Sequence, residues 1–117
     1  MLTKKNRLRT MRDFKHLFKK GKTQGSRFLG MRFANKEEQD FTRFAFVIST
    51  KTAKLAVDRN RARRQLREIV RSLLPRIKAG YDLSITIKAN FIPLSFEQKE
   101  EQVLYLLKKA GLLSRSS

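Results

Sequence analysis

The stretch 54–71, KLAVDRNRARRQLREIVR, interleaves two incompatible surfaces at helical spacing. At about 100° per residue, Ala62, Leu66, Ile69, Val70 and Leu73 fall on one side. Asn60, Arg64, Arg67 and Arg71 fall opposite, with Arg61 and Arg63 on the flanks. One face must be buried and the other solvated. This predicts a helix that starts near Val57 or Asp58, with Asp58 as N-cap, and ends near Leu74, where Pro75 disfavours helix in the residue before it.

The remaining pattern supplies partners for that helix. Thr10, with Asp13 three residues on, opens a helix Met11–Lys20 that stops at Gly21. In it Phe14 and Phe18 lie one turn apart, with Met11 on the same side and Leu17 beside them. Gly21 to Ser26 reads as a flexible connection, 27–34 as a strand, and 35–40, NKEEQD, as an acidic turn. Residues 43–49, RFAFVIS, are apolar on both alternating faces and predict a central strand covered on both sides. In 81–89, YDLSITIKA, Tyr81, Leu83, Ile85 and Ile87 alternate with Asp82, Ser84, Thr86 and Lys88, the clearest strand signal in the chain. Ser95, with Gln98 three on, caps a last helix whose Val103, Leu104, Leu106, Leu107 and Ala110 turn inward before Gly111. Helix, strands, helix, strand, helix is an α+β order around one mixed sheet. The 117 residues suit a single domain, with 1–8 and 112–117 expected to be flexible.

Charge changes the picture from fold to function. The formal net charge is +18, from 28 Lys and Arg against 10 Asp and Glu, an imbalance that costs self-repulsion and that a polyanion would neutralise. On the long helix, Lys54, Arg59, Arg61, Arg63, Arg64, Arg67 and Arg71 stand against only Asp58 and Glu68. A merely solvated face mixes signs; arginine in place of lysine favours phosphate or a stacked base. On the first helix, Phe14 and Phe18 are either a core face or, beside Lys15, Lys19, Lys20 and Lys22, a stacking platform for single-stranded nucleic acid.

Independent catalysis finds little to work with. There is no Cys, and His16, on the exposed side of the first helix, is the one histidine. Glu37, Glu38 and Asp40 lack the spaced, converging pattern of a magnesium site, and no phosphate-binding glycine loop occurs. No apolar run is long enough to span a bilayer, and no secretory segment leads the chain, so a cytoplasmic protein with neither membrane partner nor small-molecule substrate is expected.

The string AVDRNRARRQLRE, with Val57, Arg59, Asn60, Arg61, Arg63, Arg64 and Arg67, resembles the RNR signature of the bacterial ribonuclease P protein subunit. NRLR, DFKHLFKKG, RFAFVIS, YDLSITIKA and the leucine-rich last helix follow in that family's order over nearly the whole chain. The resemblance implies an αβ sandwich of the ribosomal protein S5 domain 2 type, with a left-handed βαβ crossover. It also implies a ribonucleoprotein endonuclease that removes the 5′ leader of precursor tRNA, whose large RNA carries the active site and most of the magnesium. By position, Arg59, Asn60, Arg61, Arg63, Arg64 and Arg67 would contact that RNA. Phe14, Phe18, Lys15, Arg32, Ser49 and Lys51 would line the leader cleft. The chain departs from the pattern at Thr50, where the family often has lysine, and in the glycine-free loop 50–55.

The competing reading is a ribosomal or ribosome-associated RNA-binding protein without an enzymatic role, which would share the charge and the sheet. A basic DNA-reading helix is disfavoured because Leu66, Ile69 and Leu73 tie the helix to a core.

Overall fold

The computed structural model describes residues 6–8, 10–36 and 39–114. Its elements run α1 (Met11–Lys20), β1 (Lys22–Gly25), β2 (Leu29–Asn35), β3 (Arg43–Val47), α2 (Ala56–Leu73), β4 (Tyr81–Ile87) and α3 (Phe96–Lys109), with single 3-10 turns at Leu74–Arg76 and Ala89–Phe91. The sheet order is β1-β2-β4-β3. β2 is antiparallel to β1 and to β4, whereas β3 and β4 are parallel, with α2 lying between them in sequence as the crossover.

One face of the sheet carries the main core. Leu29, Met31 and Phe33 of β2, Phe44 of β3, and Leu83, Ile85 and Ile87 of β4 meet Ala62, Leu66, Ile69, Val70 and Leu73 of α2 and Val103, Leu106 and Leu107 of α3. The apolar stripe read from the sequence is therefore the buried stripe of α2, and each wholly buried leucine there contributes about 1.5–3 kcal/mol. The opposite face holds a smaller cluster, Leu8, Leu17 and Ala34, with Phe14 and Ala45 packed on it. That cluster seats α1.

The local signals for α1 and α3 are realised in their caps. The Thr10 hydroxyl accepts the Asp13 N–H at 3.2 Å. Ser95 and Gln98 form the full reciprocal box at 3.1 and 3.0 Å. α2 differs: its N-cap is Leu55, which makes no side-chain cap bond, and Asp58 sits in the first turn.

Three expectations are corrected by tertiary context. β3 is an edge strand, not a central one, and Val47 is 42% exposed. The apolar outer residues of RFAFV face α1 and open ground instead of a second covering layer. β4 is the inner strand, and the first part of its polar side is covered too, with Asp82 wholly buried and Ser84 buried, while Thr86 is exposed. The segment after α1 is not a loose connection: KTQG has no apolar alternation but pairs with β2 from Lys22 opposite Phe33 to Gly25 opposite Gly30. The chain ends, expected to be flexible, are packed where described. Leu8 is buried and its N–H reaches the Phe44 carbonyl at 2.8 Å, while Leu112 is buried and its carbonyl accepts the Lys78 N–H at 2.8 Å. Each is an apolar residue at an end of the chain that covers an edge of the core. Glu37 and Glu38 lie outside the described residues.

Candidate nucleic-acid interface

The outer face of the sheet is only partly covered by α1, and the uncovered part meets the arginine helix. Arg7, Leu8, Phe14, Phe44, Ala45, Phe46, Val47, Arg63 and Arg67 line a groove of about 430 Å³ between α1, β3 and α2. A second hollow of about 280 Å³ follows on the open sheet beyond Val47, bounded by Phe18, Arg32, Thr23, Ser84 and Thr86. Both contain Val47, so together they form a track along the outer face. None of the residues lining the track is acidic.

The two phenylalanines have different roles. Phe14 is half-buried against Leu8 and Leu17 and shows the groove only part of its ring. Phe18 is 57% exposed, and the Arg32 guanidinium stacks 4.7 Å from its centroid while Nη1 donates to the Phe18 carbonyl at 3.2 Å. A guanidinium held over an exposed aromatic ring makes a cationic, π-bearing surface against which a base can stack. Met11 is exposed as well, so Leu17, and not the Met11–Phe18 side, is the face α1 buries.

On α2, Arg59 turns back to hold its own approach. Its Nη1 donates to the carbonyls of Ala53 at 2.8 Å and Lys54 at 2.9 Å, fixing the loop that enters the helix. Asn60 accepts from Arg63 Nη1 at 3.0 Å, which steadies that fork at the groove edge. Arg64 is exposed, and Arg67 is half-buried in the groove wall. Burial first, then the charges of Arg7, Arg63 and Arg64, push the Arg67 pKa below its usual value. Arginine nonetheless stays charged at neutral pH, so the cluster stores repulsion that a polyanion relieves.

The structure does not gather every residue picked from the sequence. Lys15 is exposed on α1 and lines neither hollow. Ser49 and Lys51 lie in the turn after β3, where the Ser49 hydroxyl accepts the Thr52 N–H at 3.2 Å, outside both hollows. Arg61 points toward α3, into a separate pocket. Sequence reasoning missed Arg7 and Val47. Arg7 pairs with Phe44 as an extra rung beside β3, and its only signal was its place in NRLR. His16, expected on an exposed side, is half-buried, with Nδ1 covered and making no hydrogen bond.

Chemically this arrangement can grip phosphates and stack bases. Among the described residues no three His, Cys, Asp or Glu side chains converge as metal ligands. The cationic lining of the track would repel magnesium, so these residues do not fit as its holder.

The model of the family described as Ribonuclease P matches residues 2–111. The chain belongs to the ribonuclease P protein family. It is 38% identical to the ribonuclease P protein component of Syntrophomonas wolfei over 100% of this chain and 97% of that one. To the Chloroflexus aurantiacus component it is 40% identical, over 92% of this chain and 78% of that one. The fold is similar to the RNase P protein from Thermotoga maritima, with a TM-score of 0.80 and 30% identity over 88% of this chain and 96% of that one. Membership of the ribonuclease P protein family carries the function: an accessory protein subunit in tRNA 5′ processing. The parallel β3–β4 pair with α2 between is the part of the family fold that sets the RNR arginines beside the open sheet.

Proposed function

We propose that the arginine face of α2 binds the ribonuclease P RNA while the track on the outer sheet holds the 5′ leader of precursor tRNA, leaving the cleavage itself to the RNA. The observation that carries this is the acid-free track, which places Phe14, Arg63 and Arg67 in one groove and the Arg32–Phe18 stack in the next. Arginine forks suit the shape and phosphates of a folded RNA, and an aromatic platform on a sheet suits splayed bases with little sequence preference. Magnesium is held mainly by the RNA in this reading, because the protein's groove offers it cations and no carboxylates.

Within that division Arg59 is a positioning residue, since its Nη1 is held by the chain's own carbonyls at Ala53 and Lys54. Arg7, Arg63, Arg64 and Arg67 are the phosphate-facing set. No helix among the described residues is long and apolar enough to cross a membrane. In this reading the protein works in the cytoplasm, on precursor tRNA.

The deciding experiment is cleavage of precursor tRNA by the organism's own ribonuclease P RNA at low magnesium, with and without the protein. Release of the leader is expected to depend on the protein. Binding of RNA without any effect on cleavage, together with co-sedimentation on a ribosomal subunit, would overturn the reading.

A further inference from the structure

α3 carries no part of the surface assigned above, yet it holds the one buried lysine among the described residues. Lys99 is 5% exposed, its Nζ donates to Gln65 Oε1 at 2.7 Å, and it lies 5.7 Å from the centroid of Phe91. No carboxylate pairs with it among the described residues, where the ion pairs are those of Arg43. A buried ammonium normally has a charged partner, because a neutral acceptor leaves its charge uncompensated. Burial and then the neighbouring Arg61 charge hold the Lys99 pKa below its usual value.

The uncompensated charge borders a pocket. Arg61, Gln65 and Lys99 line a hollow of about 250 Å³ between α2 and α3, with Ile92 and Leu94 as its apolar wall and Asp58 in its lining. Asp58 forms an ion pair with neither cation. Because Gln65 gives its carbonyl oxygen to Lys99, its amide N–H groups remain as donors. Two cations and an amide donor around a small hollow are the groups that recognise a tetrahedral oxyanion.

We propose that this pocket binds a phosphate group of the RNA backbone, held by Arg61, Lys99 and the Gln65 amide. It lies on the flank of α2 away from Arg63 and Arg67, which line the groove beside β3. An RNA seated on α2 would then be held from both flanks, and α3 becomes part of the interface. The source of the phosphate rests on the RNA reading above; the anion chemistry does not.

Inorganic phosphate is the first probe, titrated into the full chain while the Lys99 side-chain signals and the Gln65 amide are followed by NMR, with chloride at equal ionic strength as control. Saturable shifts are expected, weakened several-fold in Arg61→Gln and absent in Lys99→Met. Asp58→Asn is expected to tighten phosphate binding by removing a repelling charge. Signals that do not move, or an Asp58→Asn change that only lowers the melting temperature, would overturn the site, since Asp58 would then be the internal counter-ion. With RNA, Lys99→Met is expected to lower the log-salt slope by about one while assembly persists. An unchanged slope beside intact phosphate shifts would overturn RNA as the source. Loss of RNA binding in Arg63→Ala with Arg67→Ala tests the groove reading separately.

Discussion

Arg43 and Asp82 lie opposite each other across the parallel β3–β4 seam and are joined by two bonds, Nε to Oδ1 and Nη2 to Oδ2, each 2.8 Å long. The third nitrogen, Nη1, reaches Asp13 of α1 at 3.0 Å. One guanidinium therefore closes the strand pair and moors α1, and so it fixes where the Phe18 platform stands over the sheet.

Removing that guanidinium leaves the wholly buried Asp82 carboxylate without its charge partner. Arg43→Ala is expected to cost about 3–5 kcal/mol of stability, read from urea unfolding. The double change Arg43→Met with Asp82→Leu should recover much of the loss. A cost below about 1 kcal/mol for Arg43→Ala would show that the pair is replaceable by water.

Asp13 sets a pH limit on the same junction. The Thr10 hydroxyl, which donates to its carboxylate at 2.6 Å, is the largest influence lowering its pKa from the ordinary 3.8, and Arg43 lowers it further against an opposing effect of burial. A carboxyl whose folded pKa is depressed stabilises the fold above its unfolded value, and that contribution is lost as pH falls below 3.8 through the folded value. An NMR titration should find Asp13 titrating below 3.8, with Thr10→Ala moving it upward. Titration at or above the ordinary value in the native chain would refute the bond.

The groove arginines should show opposite effects on folding and on binding. Arg67→Met removes a half-buried charge surrounded by Arg7, Arg63 and Arg64, so the free chain is expected to melt at the same temperature or higher at low salt. Affinity for the cognate RNA should fall, and the log-salt slope, on the order of −4 for about four or five neutralised phosphates, should shrink by about one. Equal losses in folding and in binding would make Arg67 a structural residue.

Phe14 and Phe18 are separable by their exposure. Phe18→Ala is expected to leave the melting temperature unchanged while reducing the preference for leader-bearing over mature tRNA by about 1–3 kcal/mol, the worth of one stacked base. Phe14→Ala should lower the melting temperature as well, because the ring packs on Leu8 and Leu17. A Phe18 change that melts the protein would return that ring to the core.

Gly21 tests the fit of α1 on the sheet without touching a charge. A Cβ there would stand 2.3 Å from the Leu17 carbonyl oxygen and 3.0 Å from the Arg32 side chain. Gly21→Ala is expected to destabilise the chain and to loosen the Arg32–Phe18 stack, visible as a shift of the Phe18 ring signals. An unperturbed ring would mean that α1 ends elsewhere.

How much of this was legible in advance depended on whether the deciding contact was local. The stripe Ala62, Leu66, Ile69, Val70 and Leu73 and the Thr10 and Ser95 caps are short-range patterns that survive in the structure; Leu83, Ile85 and Ile87 of β4 are buried as their alternation predicts, but Asp82 and Ser84 between them are buried as well. β1 was not legible, because Lys22–Gly25 becomes a strand through its pairing with β2 and has no periodicity of its own. β3 looked central because Ala45 and Val47 are apolar, but these residues face the groove and α1. The α2 arginines were legible as a set. Their division of labour was not, since Arg59 binding its own loop, Arg61 facing α3 and Arg67 entering the groove depend on neighbours distant in sequence.

β4 is the last strand in chain order, yet it lies inside the sheet and is hydrogen-bonded to both β2 and β3. During synthesis the β1–β2 hairpin and β3 therefore have nothing to join them until Ile87 has left the ribosome, and the leucines of α2 have no finished surface to cover. Assembly of the sheet is non-local and correspondingly slow. Most of the chain's Lys and Arg residues precede the end of β4, so the positive charge is in place before the sheet that presents it can close.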